Sequence, residues 1–213
     1  MKETTSKEKV LKKIREALIN RTNPPYEGVD METKVFKGGE SPYHDVNFAE
    51  AFSKVGGNFI FCANMNELAQ NITAILKEKG VTKVFCPEQE FKKLVLDNRI
   101  AFLEDDKSFN SCEVSMTSCE ALVARLGAIV FSSRQIGGRK GLILPDSHFV
   151  IASTDQIVEE IADAFMLLKQ KYNTKLPSMI TFVTGPSRTA DIEKTLILGA
   201  HGPKELFLFL IDI

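Results

Sequence analysis

Ser187, Arg188 and Thr189 follow a Gly185-Pro186 turn, and His201-Gly202 lies a short stretch further along the chain. These residue types share one chemistry, the holding of a negative charge. A guanidinium is planar, permanently charged and shaped to match carboxylate or phosphate oxygens. Serine and threonine hydroxyls donate to the same oxygens, and backbone N–H groups where a glycine turn enters a helix aim at one point. The apolar run before the turn, residues 179–184, predicts a strand. The residues after it predict a short helix, capped by Ser187 or Thr189 and closed by Gly199. Asp191 and Glu193 would sit in its first turns, either complementing the helix dipole or orienting Arg188. His201 would lie past its negative end, either protonated there or holding the turn through a ring–backbone hydrogen bond.

A second basic stretch runs from Arg134 to Gly141, with Arg134, Arg139 and Lys140 among three glycines. Such a loop can wrap an anion through backbone N–H groups and side-chain charge, or it is an exposed turn. It lacks the spacing of a phosphate-binding Walker loop. His148 opens an apolar strand and serves either packing or a ligand. Tyr43-His44-Asp45 contains types found in catalytic clusters, but adjacent residues seldom point into one site, so a surface loop is expected. Glu120 reads as a helix-surface acid. Cys62, Cys86, Cys112 and Cys119 form no C-x-x-C pair. Cys62 and Cys86 close apolar strands, where a thiol packs as a small hydrophobe. Neither a zinc site nor an iron–sulfur cluster is expected in this chain. No residue is assigned a catalytic role.

The elements that must position these residues follow from periodicity. Residues 7–19 predict an amphipathic helix capped by Ser6, with Val10, Leu11, Ile14, Ala17 and Leu18 on one stripe. Residues 20–42 are dense in Pro and Gly and predict an irregular connector. Residues 1–45 are therefore read as a helical arm with its connector, and residues 46–213 as one domain. There helices are expected at 46–55, 67–79, 87–97, 118–126 and 155–171. Strands are expected at 58–62, 82–86, 113–116, 128–133, 149–152, 179–184 and 205–211. This alternation predicts an α/β fold, a mostly parallel sheet with helices on both faces. The link between 128–131 and 149–152 is too short for a crossover helix, so those two strands are expected to be antiparallel neighbours.

Length, composition and charge set outer bounds. The chain has 213 residues, 44% of them hydrophobic, which suits one soluble domain. Lysine plus arginine number 27 against 28 acids, a balance unlike that of a nucleic-acid binder. No apolar run reaches membrane-spanning length and the first residues carry no apolar signal core, so the expectation is a cytoplasmic protein without a membrane partner. Composition leaves a homo-oligomer open.

Gly185-Pro-Ser-Arg-Thr-Ala-Asp-Ile-Glu193 followed by Gly199-Ala-His-Gly-Pro203 resembles the C-terminal signature of the lactate-utilisation (LUD) domain family, in its lactate utilisation protein C branch. Gly138-Arg139, Leu144-Pro145 and His148 are similar to a second family pattern, and the looser likeness runs from about Val55 to the end. The resemblance implies a fold like that of the NagB/RpiA/CoA-transferase group. It implies a non-redox subunit of an L-lactate-oxidising system, with iron–sulfur clusters in partner subunits and none in this chain. The ligand, a small carboxylate or phosphate, would lie at Gly185, Ser187, Arg188, Thr189 and Gly202, with Arg139, His148 and His201 nearby. Where many members carry Ala-Glu-Thr-Gly-Thr, this chain has Ala124-Arg125-Leu126-Gly127-Ala128. The alternative is a stand-alone transferase or cyclo-ligase-type enzyme taking a phosphate- or CoA-bearing substrate, since a fold does not fix a reaction. A third reading is an interaction or regulatory protein that docks through its N-terminal helix and Pro-rich connector.

Overall fold

The computed structural model describes residues 5–19, 41–97, 99–103, 112–135, 140–173, 175–192 and 195–212. The chain divides into two units, Met1–Lys37 and Gly38–Ile213. The first contains α1 (Ser6–Ile19). Its cap is Thr5 rather than Ser6: the Glu8 N–H donates to Thr5 Oγ1 at 3.3 Å, and the Thr5 N–H donates back to Glu8 Oε2 at 2.9 Å. The expected connector lies outside the described residues except for Ser41 and Pro42.

The second unit holds α2 (His44–Lys54), β1 (Asn58–Cys62), α3 (Met65–Glu78), β2 (Lys83–Phe85), α4 (Gln89–Lys92), β3 (Ala101–Leu103), β4 (Val114–Ser118), β5 (Ala121–Val123) and β6 (Ala128–Ser132). It continues with β7 (Ser147–Ser153), β8 (Ile157–Val158), α5 (Ile161–Tyr172), β9 (Ile180–Val183), β10 (Arg188–Ile192), β11 (Thr195–Leu198) and β12 (Glu205–Ile211). Six strands form a wholly parallel sheet in the order β1-β12-β7-β4-β2-β3. A second sheet runs β8-β5-β6-β9, and β10-β11 is a separate hairpin.

The central strands are apolar on both sides because both sides are covered. Along β12, Phe207, Phe209 and Ile211 join α3 residues Leu68, Ile72 and Leu76 in one core. Leu206, Leu208 and Leu210 face the other way, against Phe48 and Phe52 of α2 and Leu122, Ile129 and Phe131 of the second sheet. Helix α5 covers the far side of that second sheet through Ala164 and Leu168. Asn64 sets the start of α3, its side chain accepting the Glu67 N–H at 3.0 Å. Among the described residues, no helix is long and apolar enough to cross a membrane.

Three expectations from periodicity give way to packing. Residues 118–126 do not form a helix. The run Ala121-Leu122-Val123-Ala124 alternates instead, Ala121 and Val123 facing α5 and Leu122 and Ala124 facing α2, as a strand buried on both sides must. Strands β6 and β7 are not antiparallel neighbours. β7 is buried on both faces and sits between β12 and β4, while β6 pairs with β5 and β9 in the other sheet. Helix α5 begins only at Ile161, because Glu160 and Asp163 form a reciprocal cap there and residues 157–158 pair with β5.

A candidate anion cleft at the amino edge of the sheet

The segment after Gly185 is a hairpin, not a helix. Arg188 pairs with Leu198 and Thr189 with Ile197 across it. Its β-branched residues, Thr189, Ile192, Thr195 and Ile197, favour the extended form. With no helix there is no helix N-terminus to receive an anion. Three of the nearby backbone donors are also committed: the Ser187 N–H donates to the Pro203 carbonyl at 2.9 Å, the Gly199 N–H to the Ser187 carbonyl at 3.0 Å, and the His201 N–H to Ser187 Oγ at 3.4 Å. The holding of charge therefore falls chiefly to side chains, and the hairpin corrects the turn-and-helix expectation.

Those side chains do meet. Gly185, Ser187, Arg188, His201 and Gly202 line one cleft of about 430 Å³, whose other wall comes from Leu142, Ile143 and β9. Arg188 is fixed at its mouth by one donor, Nη2 giving a 2.9 Å hydrogen bond to the Val55 carbonyl. The approach requires glycine at 56: its φ is +88°, and a Cβ there would fall 2.4 Å from Arg188 Nη2. The remaining guanidinium N–H groups have no protein partner among the described residues, so an exposed but anchored cation faces the opening. Ser187 Oγ accepts the His201 N–H at 3.4 Å, which leaves its own hydrogen free to donate.

Thr189 lies on β10 and does not line the cleft. Arg139 and Glu193 fall outside the described residues. Arg134 turns elsewhere, over the Tyr172 ring at 5.6 Å, with Nη2 donating to the Lys175 carbonyl. Tyr43, His44 and Asp45 start α2 and are not gathered at a site. His148 is a correction: it is buried in the core, its Nε2 2.8 Å from Thr117 Oγ1 and its ring stacked on Phe131. Burial pushes its pKa down to about 3, so it carries no charge for an anion at neutral pH.

That burial has a consequence for stability. The folded pKa lies below the unfolded value of about 6.5, so the unfolded chain binds the extra proton as pH falls between the two. Stability then declines by about 1.4 kcal/mol per pH unit, roughly 2 kcal/mol by pH 5. Urea unfolding of wild type and His148→Phe over this range should show the slope in the first and a shallower one in the second.

Polar residues that the sequence did not single out gather at the opposite, carboxyl end of the sheet. Glu88 is buried and accepts both the N–H of Ser118 at 2.9 Å and its hydroxyl at 2.5 Å. Burial pushes the Glu88 carboxyl above its ordinary value, and the Ser118 bonds offset only part of this. Ser118, Ser153 and Gln156 border a smaller cavity of about 230 Å³. Glu120, expected on a surface, is 2% exposed. It accepts from Ser132 Oγ at 2.5 Å, Lys171 Nζ at 2.7 Å and Tyr172 OH at 2.7 Å. No alternation of residue types could have found these acids, because their partners arrive from distant strands and helices. Three of the cysteines are buried and Cys112 is half-buried, and among the described residues no three His, Cys, Asp or Glu side chains gather as a metal site.

A family model described as the LUD domain matches residues 46–211. The chain belongs to the LUD domain family. Lactate utilization protein C 1 of Bacillus mycoides (strain KBAB4) is 32% identical over 111 residues, 51% of this chain and 47% of that protein. Lactate utilization protein C of Bacillus subtilis (strain 168) is 34% identical over 112 residues, 51% of this chain and 46% of that protein. The chain thus spans about half the length of the relatives it matches. A crystal structure of a DUF162 family protein from Deinococcus radiodurans has the same fold, with a TM-score of 0.60 at 16% identity over 79% of this chain and 96% of that one. Within this LUD domain, Arg125 of the departing segment donates from Nε to Glu160 Oε1 at 2.6 Å, tying the turn after β5 to the cap of α5.

Proposed function

We propose that this LUD-domain chain is the non-redox subunit of an L-lactate-oxidising system, binding a small organic anion in the amino-edge cleft and working beside iron–sulfur partner subunits. The observation that carries the ligand side is the convergence of Ser187, Arg188 and His201 on one opening. The names of its relatives support the system. Arg188 supplies charge and two-point geometry for a carboxylate, Ser187 a neutral donor, and His201 a ring at the rim. Redox chemistry belongs to the partners in this reading, and this chain presents or senses the acid.

The partner half is tested by isolating the chain, tagged at its natural expression level, from its own cells grown on L-lactate. Proteins with iron–sulfur absorbance and electron-spin signals are expected to co-purify. Recovery of the chain alone after gentle lysis would contradict the proposal.

A further inference from the structure

Resting on the anion-cleft reading, we infer that the amino-edge cleft is built for a carboxylate that carries an apolar tail longer than that of lactate. Two observations lead there. The first is size: about 430 Å³ lies within the range of sites that enclose drug-sized ligands, and a lactate ion would leave most of it as water against hydrocarbon. The second is how the lining is divided. The polar groups that suit an anion, Ser187, Arg188 and His201, all come from the hairpin side. The facing wall is Leu142, Ile143, Met179 and Val183, with Thr181 its one polar side chain, while Phe182 borders the cleft from the strand and turns its ring to Phe165 of α5.

A site for lactate alone has no use for that wall. Ile143 is 50% exposed and Leu144 beside it 51% exposed, so the apolar surface continues to the lip. Apolar surface facing an anchored cation across one opening complements a molecule with a charged head and a hydrocarbon body. The head would sit at the fixed guanidinium and the Ser187 hydroxyl. The tail would run along β9 toward Ile143.

The test is calorimetric titration of the full chain at neutral pH with lactate, 2-hydroxybutyrate, 2-hydroxyhexanoate and 2-hydroxyoctanoate, the last below its micelle concentration. Affinity is expected to rise about two- to fourfold per added methylene, the upper figure corresponding to full burial of each group. Arg188→Gln should weaken every acid about tenfold and keep the slope, as expected for loss of one charge-assisted hydrogen bond. Ile143→Gln, a neutral change at a position 50% exposed, should flatten the slope of affinity against chain length. Melting curves of both variants check that they are folded. Equal affinity from lactate to the octanoate would overturn the inference and leave the anion reading standing. Absence of binding by every acid, or equal binding of octane-1,2-diol, would remove the anion reading itself.

Discussion

Gly127→Ala is expected to yield little folded protein. Gly127 has φ +57°, and a Cβ there would lie 2.3 Å from the backbone nitrogen of Phe52 and 2.5 Å from the carbonyl carbon of Ala51. The left-handed backbone alone costs about 1–2 kcal/mol for a residue with a side chain. The clash is worse, because the obstacle is the main chain of α2 and cannot rotate away. Relief requires α2 to lift, which withdraws Phe48 and Phe52 from the core, where both are fully buried. Losing packing of that kind costs about 3–5 kcal/mol per large side chain. Gly80→Ala is the control. It also has a positive φ, +67°, but nothing stands within 4 Å of its Cβ. It should lose only the backbone share, about 1–2 kcal/mol. Denaturant unfolding of the two variants separates strain from collision. Equal, small losses would show that α2 does not press on this turn.

Glu120→Ala is expected to be the next most damaging change. Its carboxylate joins β5 and β6 to α5 by accepting from Ser132, Lys171 and Tyr172. Removal strands two hydroxyls and a cation. Breaking a buried pair costs about 3–5 kcal/mol, and with Lys171 half in water the lower figure applies. A domain of this size loses roughly 2–4 °C of melting temperature per kcal/mol, so a fall of about 6–12 °C is expected. Burial acts to raise the Glu120 carboxyl, but the bonds from Lys171, Ser132 and Tyr172 outweigh it and hold the group below its ordinary value. A depressed folded value means that this stabilisation is complete above the unfolded pKa of about 4.3 and is lost as pH falls through the folded one. Wild type should therefore lose stability in acid where Glu120→Ala has none of this contribution left to lose. Thermal melts of the two proteins from neutral pH down to acid check both statements. A variant within a degree of wild type at neutral pH would show that the network is decorative.

How much of this was legible in the sequence depends on what each residue is paired with. Strands β1, β6, β9 and β12 and helices α2 and α3 follow from local pattern, because their apolar spacing, caps and glycine stops lie within a few residues. β5 and the hairpin were misread for one reason. Short apolar or β-branched runs suit helix and strand alike until a neighbouring strand is known, and the neighbours of β5 are β6 and β8. The signature at residues 185–203 was visible, and Gly185, Ser187, Arg188, His201 and Gly202 share the cleft. The way they share it was not visible, since the anchor of Arg188 is the Val55 carbonyl, far away in the chain. His148 was placed near the ligand by its likeness to a pattern. Its burial depends on β4 and β6, whose Thr117 and Phe131 enclose it.

The cleft is the claim on which the functional reading stands, and amide chemical shifts report on it directly. Isotope-labelled protein titrated with L-lactate should show its largest changes at Ser187, Arg188, His201 and Gly202, and Arg188→Gln should move their midpoint to about tenfold higher lactate. Changes gathered instead at Met65, Ser118, Ser153 and Gln156, at the carboxyl end of the sheet, would place the ligand in the other cavity and contradict the account.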